Sequence, residues 1–208
     1  MGRYNPTLEN ALLAGSGLLQ VVGSDKIQTL KAMYNGEGRY YHTWDHMLDV
    51  LSQTMAHGLG FNSHLAALFH DAVYDVTAKD NEAQSMNLMV GMLKTGDYHR
   101  QTLRLIETTA RHGEAAWANT TPDERSFLDC DIAIMASESW ERVAHEDWSI
   151  HKEYMEAHSV EDVIQGRRAF LTNWLKKPVI FLSPQFAHHE WQIRSNIYRL
   201  STHDHTDF

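Results

Sequence analysis

Apolar residues recur every three or four positions through most of this chain, which is the spacing of one face of an α-helix. Examples are Met47, Val50 and Leu51, or Ile193 and Ile197. Strict alternation of apolar and polar residues over the length of a strand is scarce. The pattern therefore predicts an all-α fold, with helices near residues 7–22, 24–35, 40–57, 62–76, 81–95, 97–112, 122–137, 139–157, 160–177 and 184–201.

Prolines and loop-forming residues indicate how the chain is divided. Pro122 follows Thr121 and Pro184 follows Ser183, and a proline directly after an N-cap residue is typical of a helix start. No stretch rich in proline, glycine or serine separates two halves, so we expect a single domain. Its parts are a motif-bearing core at about 39–137, C-terminal helices at about 139–201 and a polar tail at 202–208.

Composition and charge narrow the classes of function. The chain is 43% hydrophobic and 22% charged, and Cys130 is its only cysteine, which together favour a soluble cytoplasmic protein without internal disulfides. The longest uncharged stretch, 10–24, contains Gly15 and Gly17 and predicts a buried helix and not a membrane span. A net charge of -9 disfavours polymeric nucleic acid as a partner but allows a small phosphate ester held by a metal. The sequence does not determine the oligomeric state, and a homo-oligomer is one of the possibilities.

His70 and Asp71 interrupt an apolar run that extends from Leu65 to Tyr74. A carboxylate in apolar surroundings must be hydrogen-bonded, paired or bound to a cation, because its burial otherwise costs several kcal/mol. His46 upstream and Asp131 downstream offer further ligands from two other predicted helices, which a bundle can bring together. Two imidazoles and two carboxylates suit one divalent transition metal: Mn, Fe, Co, Ni or Zn. The residues alone leave open that His70 is a hydrogen-bonded core histidine.

Several short motifs follow one another between about residues 39 and 200. They are Tyr41-His42 with His46, Phe69-His70-Asp71, Tyr74-Asp75, Asn81-Glu82, Thr109 with His112, Leu128-Asp129-Cys130-Asp131, and Arg194-Ser195-Asn196. Their order resembles the HD-domain superfamily of metal-dependent phosphohydrolases. The finer resemblance is to its branch of small "predicted metal-dependent HD phosphohydrolases".

The resemblance implies an HD-type helical bundle with a metal site at its centre and room for a second metal. Asp129 is the alternative for the last ligand, but Asp131 is preferred because it directly precedes the apolar residues 132–134, as the last aspartate of the superfamily does. The branch usually has an arginine where this chain has His151. The implied ligands are His46, His70, Asp71 and Asp131.

The expected chemistry is hydrolysis, because a divalent ion polarises a phosphoryl oxygen and lowers the pKa of a bound water. Asp75, one helical turn after Asp71, and Glu82, at the start of the next predicted helix, are candidates for the proton acceptor. His112 is a candidate donor to the leaving oxygen or a ligand of a second metal. Each of these residues also has an ordinary structural interpretation. The candidates for contacting the substrate are Arg39, His42, Lys79 and Arg111.

The sequence thus predicts a hydrolase that cleaves a phosphoester or phosphoanhydride of a small nucleotide, with a deoxynucleoside triphosphate among the candidates. One alternative is a nucleotide sensor that binds metal without catalysis. Another is a di-iron oxygenase, because His99 and His112 lie between the central His-Asp pair and the last aspartate. The pair Arg167-Arg168 is interpreted as a solvated helix face. The tryptophans, Trp174 among them, are interpreted as core residues.

Overall fold

The regular structure of this chain is helical. The computed structural model describes residues 3–94, 98–114 and 117–202, without the side chains of residues 98, 99 and 117. No strand occurs in these ranges, so the prediction of an all-α fold is confirmed. The predicted polar tail after residue 202 lies outside the described residues.

The α-helices are numbered in chain order. They are α1 (Pro6–Gly15), α2 (Leu18–Val22), α3 (Ser24–Tyr34), α4 (Trp44–Ala56), α5 (Phe61–Phe69), α6 (Asn81–Met92), α7 (Tyr98–Thr109), α8 (Pro122–Ile132), α9 (Trp140–Met155), α10 (Val160–Leu175) and α11 (Glu190–Thr202). Short 3-10 helices cover His112–Glu114, Trp117–Asn119, Ala133–Ala136 and Pro184–His189. Within the described ranges, none of these helices combines the length and apolar character that crossing a membrane requires.

Helix α8 begins where the sequence predicts. The Thr121 hydroxyl accepts a hydrogen bond from the Glu124 N–H, and the Glu124 carboxylate accepts one from the Thr121 N–H at 2.6 Å. This reciprocal cap satisfies two backbone donors, and Pro122 supplies a preset first helical residue. The predicted start at Pro184 is wrong as an α-helix, because a 3-10 helix precedes α11.

The first predicted helix, 7–22, is divided into α1 and α2. Gly17 between them has a φ of 79°, in the left-handed region that glycine adopts without steric cost. The apolar spacing continues across this break, so periodicity alone does not reveal it.

The helix predicted at 62–76 ends at Phe69, and His70 and Asp71 lie in a turn. Arg39 donates hydrogen bonds to the backbone carbonyls of Asp71 and Ala72 at 2.7 and 2.9 Å. The carbonyls thus have side-chain partners in place of the next helical turn. We call residues 70–72 the ligand turn.

Helices α4 and α5 form the centre of the hydrophobic core. Residues 65–69 of α5 are all fully buried, and α4 contributes four apolar residues without solvent exposure: Met47, Leu48, Val50 and Leu51. Helix α4 packs against both α5 and α8. A helix that is buried on most sides reads as nearly continuous apolar sequence, as residues 65–69 do.

Candidate metal centre

The four predicted metal ligands come from three segments that the fold brings together. His46 lies in the first turn of α4, His70 and Asp71 form the ligand turn after α5, and Asp131 lies in the last turn of α8. Because α4 packs between α5 and α8, these side chains meet at one place. Both imidazoles are buried, and both carboxylates are largely so.

The distances between the ligand atoms match those around a single ion. Nε2 of His70 lies 3.0 Å from Oδ2 of Asp71 and 3.4 Å from Oδ1 of Asp131. Nε2 of His46 lies 3.2 Å from Oδ1 of Asp131 and 3.7 Å from Oδ2 of Asp71. Ligands about 2.1 Å from a common ion are separated by ~3.0 Å at right angles and ~3.4 Å at tetrahedral angles. These four pairs are therefore spaced as neighbours in a coordination sphere are, and among the described residues His46, His70 and Asp131 have ligand atoms that all lie within 4.8 Å of one another.

His70 gives a direct test of whether a cation fits. Its Nδ1 donates to the backbone carbonyl of Ala67 at 3.0 Å, so Nε2 is the ring nitrogen that can bind either a second proton or a metal ion. Nε2 is buried and has no hydrogen-bond partner among the described residues, although two carboxylates lie close to it. A ring nitrogen that faces carboxylate oxygens needs a positive charge between them, which either a proton on Nε2 or a metal ion supplies. The residues present thus fit a divalent ion.

Electrostatics tie these groups together. Burial alone would lower the pKa of His70, but the charges of Asp71 and Asp131 raise it well above its ordinary value. Burial would raise the pKa values of both aspartates, yet the neighbouring histidines lower them. Two ionised carboxylates are thus concentrated in a buried place, which is the environment that binds a cation.

A cavity of about 470 Å³ opens beside this cluster, within the range of small-molecule binding sites. His46, Asp71 and Asp131 form part of its wall. Four other predicted site residues also line it: His42, Lys79, Glu82 and His112.

His112 lies against the last ligand. Its Nδ1 is 3.4 Å from Oδ2 of Asp131, the second oxygen of the carboxylate that faces the two histidines. The imidazole packs against the ring of Trp174, and Lys177 donates to the His112 backbone carbonyl at 3.3 Å. The ring is thus held at the cavity wall. Glu82 is half-buried in the same wall, and burial raises the pKa of its carboxyl group.

His42 is positioned by a residue that the sequence did not single out, Glu153 on α9. Oε1 of Glu153 accepts hydrogen bonds from the backbone N–H groups of residues 40, 41 and 42 at 2.9, 2.7 and 2.8 Å. Its Oε2 lies 2.6 Å from Nδ1 of His42, whose ring stacks on Tyr74 at 3.9 Å. Burial would lower the pKa of His42, but the charges of Asp71 and Glu153 raise it. The buried Glu153 carboxylate therefore holds residues 40–42, the segment that precedes α4.

Arg39, which the sequence predicts to contact the substrate, is not among the residues that line the cavity. Its terminal nitrogens donate to the backbone carbonyls of His42, Asp71 and Ala72. The guanidinium also lies 5.2 Å from the centre of the Tyr34 ring. Arg39 thus supports the ligand turn through its hydrogen bonds to the backbone.

Asp75 and Arg111 are two further corrections. Asp75 is exposed, and one of its oxygens accepts from the N–H and the hydroxyl of Thr77 at 2.8 and 2.7 Å. The prediction that Asp75 lies near the metal requires a helix that continues past Asp71. Residues 70–75 are not helical, so this condition is not met. Arg111 is exposed and lines a separate surface pocket beside Glu114. The structure brings neither residue to the cavity.

Asp129, the alternative for the last ligand, and His151, which stands where the branch usually has an arginine, both have structural contacts away from the ligand histidines. The Asp129 carboxylate accepts hydrogen bonds from the backbone N–H groups of Leu182 and Ser183 at 2.9 and 2.6 Å, so it anchors the chain before α11. Asp131, and not Asp129, faces the histidines. His151 is buried, and its Nδ1 donates to the Asp147 carbonyl at 2.8 Å.

Arg167 is a wall residue that the sequence analysis assigned to solvent. It lies on α10, is largely buried and lines the cavity. Its partner Asp147 lies 20 positions earlier on another helix, so only the packing of α9 against α10 reveals the pair. A local signal existed in the position of Arg167 one helical turn before Leu171, which is a core residue.

Comparison of the chain with protein-family models, with curated proteins and with solved structures finds no match in any of the three. The chemistry of the centre therefore has to be inferred from the side chains themselves. His46, His70 and Asp131 each offer a ligand atom within 4.8 Å of the others.

Proposed function

We propose that this chain is a metal-dependent phosphohydrolase of the HD type, which cleaves a phosphoester or phosphoanhydride bond of a small nucleotide. The observation that supports it is the convergence of His46, His70, Asp71 and Asp131 beside a 470 Å³ cavity, whose wall includes His46, Asp71 and Asp131. The order of the sequence motifs adds the class of reaction. A net charge of -9 fits a small phosphate ester better than a nucleic-acid polymer.

The roles of the residues follow from their positions. A bound divalent ion supplies positive charge that polarises a phosphoryl oxygen and makes a water molecule more acidic. The half-buried Glu82 carboxylate, whose pKa is raised by burial, accepts the proton of the attacking water. His112, which lies beside Asp131 in the same wall, is the candidate donor to the leaving oxygen, and Lys79 at the exposed rim attracts the anionic substrate.

The test is a turnover assay with metal-stripped protein reloaded with Mn²⁺ or Co²⁺. A panel of nucleoside mono- and triphosphates is scored separately for released phosphate, pyrophosphate and triphosphate. We expect His70→Ala and Asp131→Ala to lower kcat by about a thousandfold, because the bound ion lowers the activation free energy by several kcal/mol. His145→Ala, which removes an exposed histidine of α9, is the matched control and keeps full activity. The absence of turnover with every first-row metal would contradict the proposal.

A second function has one observation in its favour. His112 beside the second oxygen of Asp131 is where a second metal would bind, as a di-iron oxygenase requires. The other histidine of that hypothesis, His99, has its side chain outside the described residues. Two irons per chain with oxygen consumption would favour the oxygenase. Tight nucleotide binding without turnover, unchanged in Glu82→Gln, would favour a sensor.

A further inference from the structure

Arg167 is held in place at the cavity wall by contacts on two sides. Its Nε donates to Oδ1 of Asp147 at 2.8 Å, and its guanidinium lies 5.2 Å from the centre of the Phe170 ring. Asp147 is buried, so this pair is shielded from solvent. In the part of the chain that the structure describes, the hydrogen bonds of Arg167 use only Nε. The N–H groups of its two terminal nitrogens are thus available for a ligand.

Arg167 lies where two cavities meet. It lines the 470 Å³ cavity of the metal centre and also a second cavity of about 540 Å³. His42 and Tyr154 likewise belong to both walls. Burial raises the pKa of Tyr41 well above its ordinary value, and the charge of Arg167 partly counteracts this. Arg167 therefore interacts electrostatically with Tyr41, whose ring lies 4.6 Å from that of the ligand His46.

The second cavity shares the apolar residues Ile150, Tyr154 and Phe170 with the first and adds Val163. Its wall contains the aliphatic side chains of Ile150 and Val163 and the aromatic rings of Tyr154 and Phe170. Gly166 also lines it, and a Cβ atom placed on Gly166 would meet nothing within 4 Å. Apolar and aromatic walls suit the flat faces of a heterocyclic ring.

We propose that Arg167 binds a phosphate oxygen of a ligand whose phosphate lies at the metal centre, while the second cavity holds the heterocyclic body of the same ligand. The planar fork of an arginine fits two phosphate oxygens at once, and its pairing with Asp147 fixes the direction of that fork. The inference rests on the proposed function and adds where the phosphate and the heterocycle of the nucleotide bind. Nucleoside phosphates are the substrates, and small aliphatic phosphate esters are poor ones.

Binding of defined probes to Mn²⁺-loaded protein tests the phosphate contact. The probes are inorganic phosphate and the 5′-monophosphates of the four common nucleosides, measured by calorimetry. Arg167→Lys keeps a charge beside Asp147 but loses the fork, and we expect both kinds of probe to bind about tenfold more weakly. Arg168→Gln, at the exposed neighbouring arginine, leaves both affinities unchanged. The double variant Arg167→Gln with Asp147→Asn removes the buried pair together, so the test does not depend on an unpaired Asp147.

The second cavity is tested by filling it. Gly166→Leu projects a side chain into open space, and we expect it to weaken nucleotide binding about tenfold while inorganic phosphate binds as before. Gly166→Ala is the matched control with little added volume. Unchanged nucleotide affinity in Arg167→Lys or in Gly166→Leu overturns the inference, as does a wild-type protein that binds none of the probes.

The two levels of the proposal fail separately. A protein that hydrolyses nucleotides with an unchanged KM in Arg167→Lys retains the proposed function and loses the Arg167 contact. A protein that binds nucleotides through Arg167 and hydrolyses none retains the contact and loses the proposed function.

Discussion

The two ring nitrogens of His70 have different partners, and this division makes the residue a ligand. Nδ1 is occupied by the Ala67 carbonyl within the same segment, so the ring cannot rotate without losing that hydrogen bond. Nε2 is thereby directed at Asp71 and Asp131. A backbone carbonyl that orients a ligand histidine is a common outer-sphere partner at metal sites.

Metal affinity should rise with pH because a proton competes for His70. Its pKa is raised in the metal-free protein, while those of Asp71 and Asp131 are lowered, so of these three groups it is His70 that must lose a proton below the raised value. We expect the association constant for Zn²⁺ to increase by about tenfold per pH unit until the raised pKa of His70 is reached. Calorimetry between about pH 5.5 and about pH 7.5 measures it, and a constant affinity across this window would refute the expectation.

In the metal-free protein, the contribution of His70 to the free energy of unfolding falls as the pH rises, whereas metal affinity rises. A raised histidine pKa stabilises the fold fully below the ordinary value and no longer does so once the pH exceeds the raised one. The lowered aspartate pKa values stabilise the fold above the ordinary carboxyl range, and this contribution is lost in acid. Metal-free protein is therefore most stable between the two ranges.

Arg39 should matter for the shape of the site and not for binding the substrate. Arg39→Gln removes charged hydrogen bonds to three backbone carbonyls, and we expect the free energy of unfolding to fall by about 2–4 kcal/mol. Metal affinity should fall with it, because the ligand turn loses its support. Chemical denaturation and metal titration measure the two effects. Arg111→Gln, an exposed control, should change stability by less than about 0.5 kcal/mol. A variant with raised KM and normal stability would restore Arg39 to the substrate.

At the scale of elements, sequence periodicity located most helices but not the points where polar side chains end them. The α8 start was predictable because Thr121 and Pro122 act locally. The end of α5 was not, because the ligand turn depends on Arg39, which lies more than 30 positions upstream. The error carried over to Asp75, whose assignment required a helix that continued past Asp71. The predicted ligands do not depend on that helix, and His46, His70 and Asp131 do lie close together.

Glu153 joins α9 to the segment before α4, and its loss should loosen that connection. Glu153→Gln keeps the shape of the side chain but removes the charge that accepts three backbone N–H groups and pairs with His42. We expect the free energy of unfolding to fall by about 2–3 kcal/mol, as for other buried charged hydrogen bonds. Glu156→Gln, at an exposed carboxylate that accepts from the Tyr40 hydroxyl, is the control. Equal stability of the two variants would show that Glu153 does not hold the segment.

At the scale of the whole molecule, the all-α fold follows from a helical apolar period that runs through most of the chain. The convergence of ligands follows from packing, and a sequence alone supplies it only through resemblance. Arg167 shows the limit, since its surroundings are set by contact between α9 and α10 that no local pattern encodes. Glu82 and His112, predicted site residues that do line the cavity, belong to the sequence motifs themselves.

A divalent ion should stabilise the whole fold, because its ligands come from α4, the ligand turn and α8, which separate on unfolding. At a metal concentration 100 times Kd, linkage predicts a gain of about 2.7 kcal/mol. For a chain of this size that raises Tm by roughly 5–10 °C, measurable by thermal unfolding with and without Mn²⁺. His70→Ala should abolish the shift, whereas His145→Ala, with an exposed histidine replaced, should retain it. A shift of equal size in both variants would mean that the ion binds elsewhere, since only a site built from all three segments links metal binding to global stability.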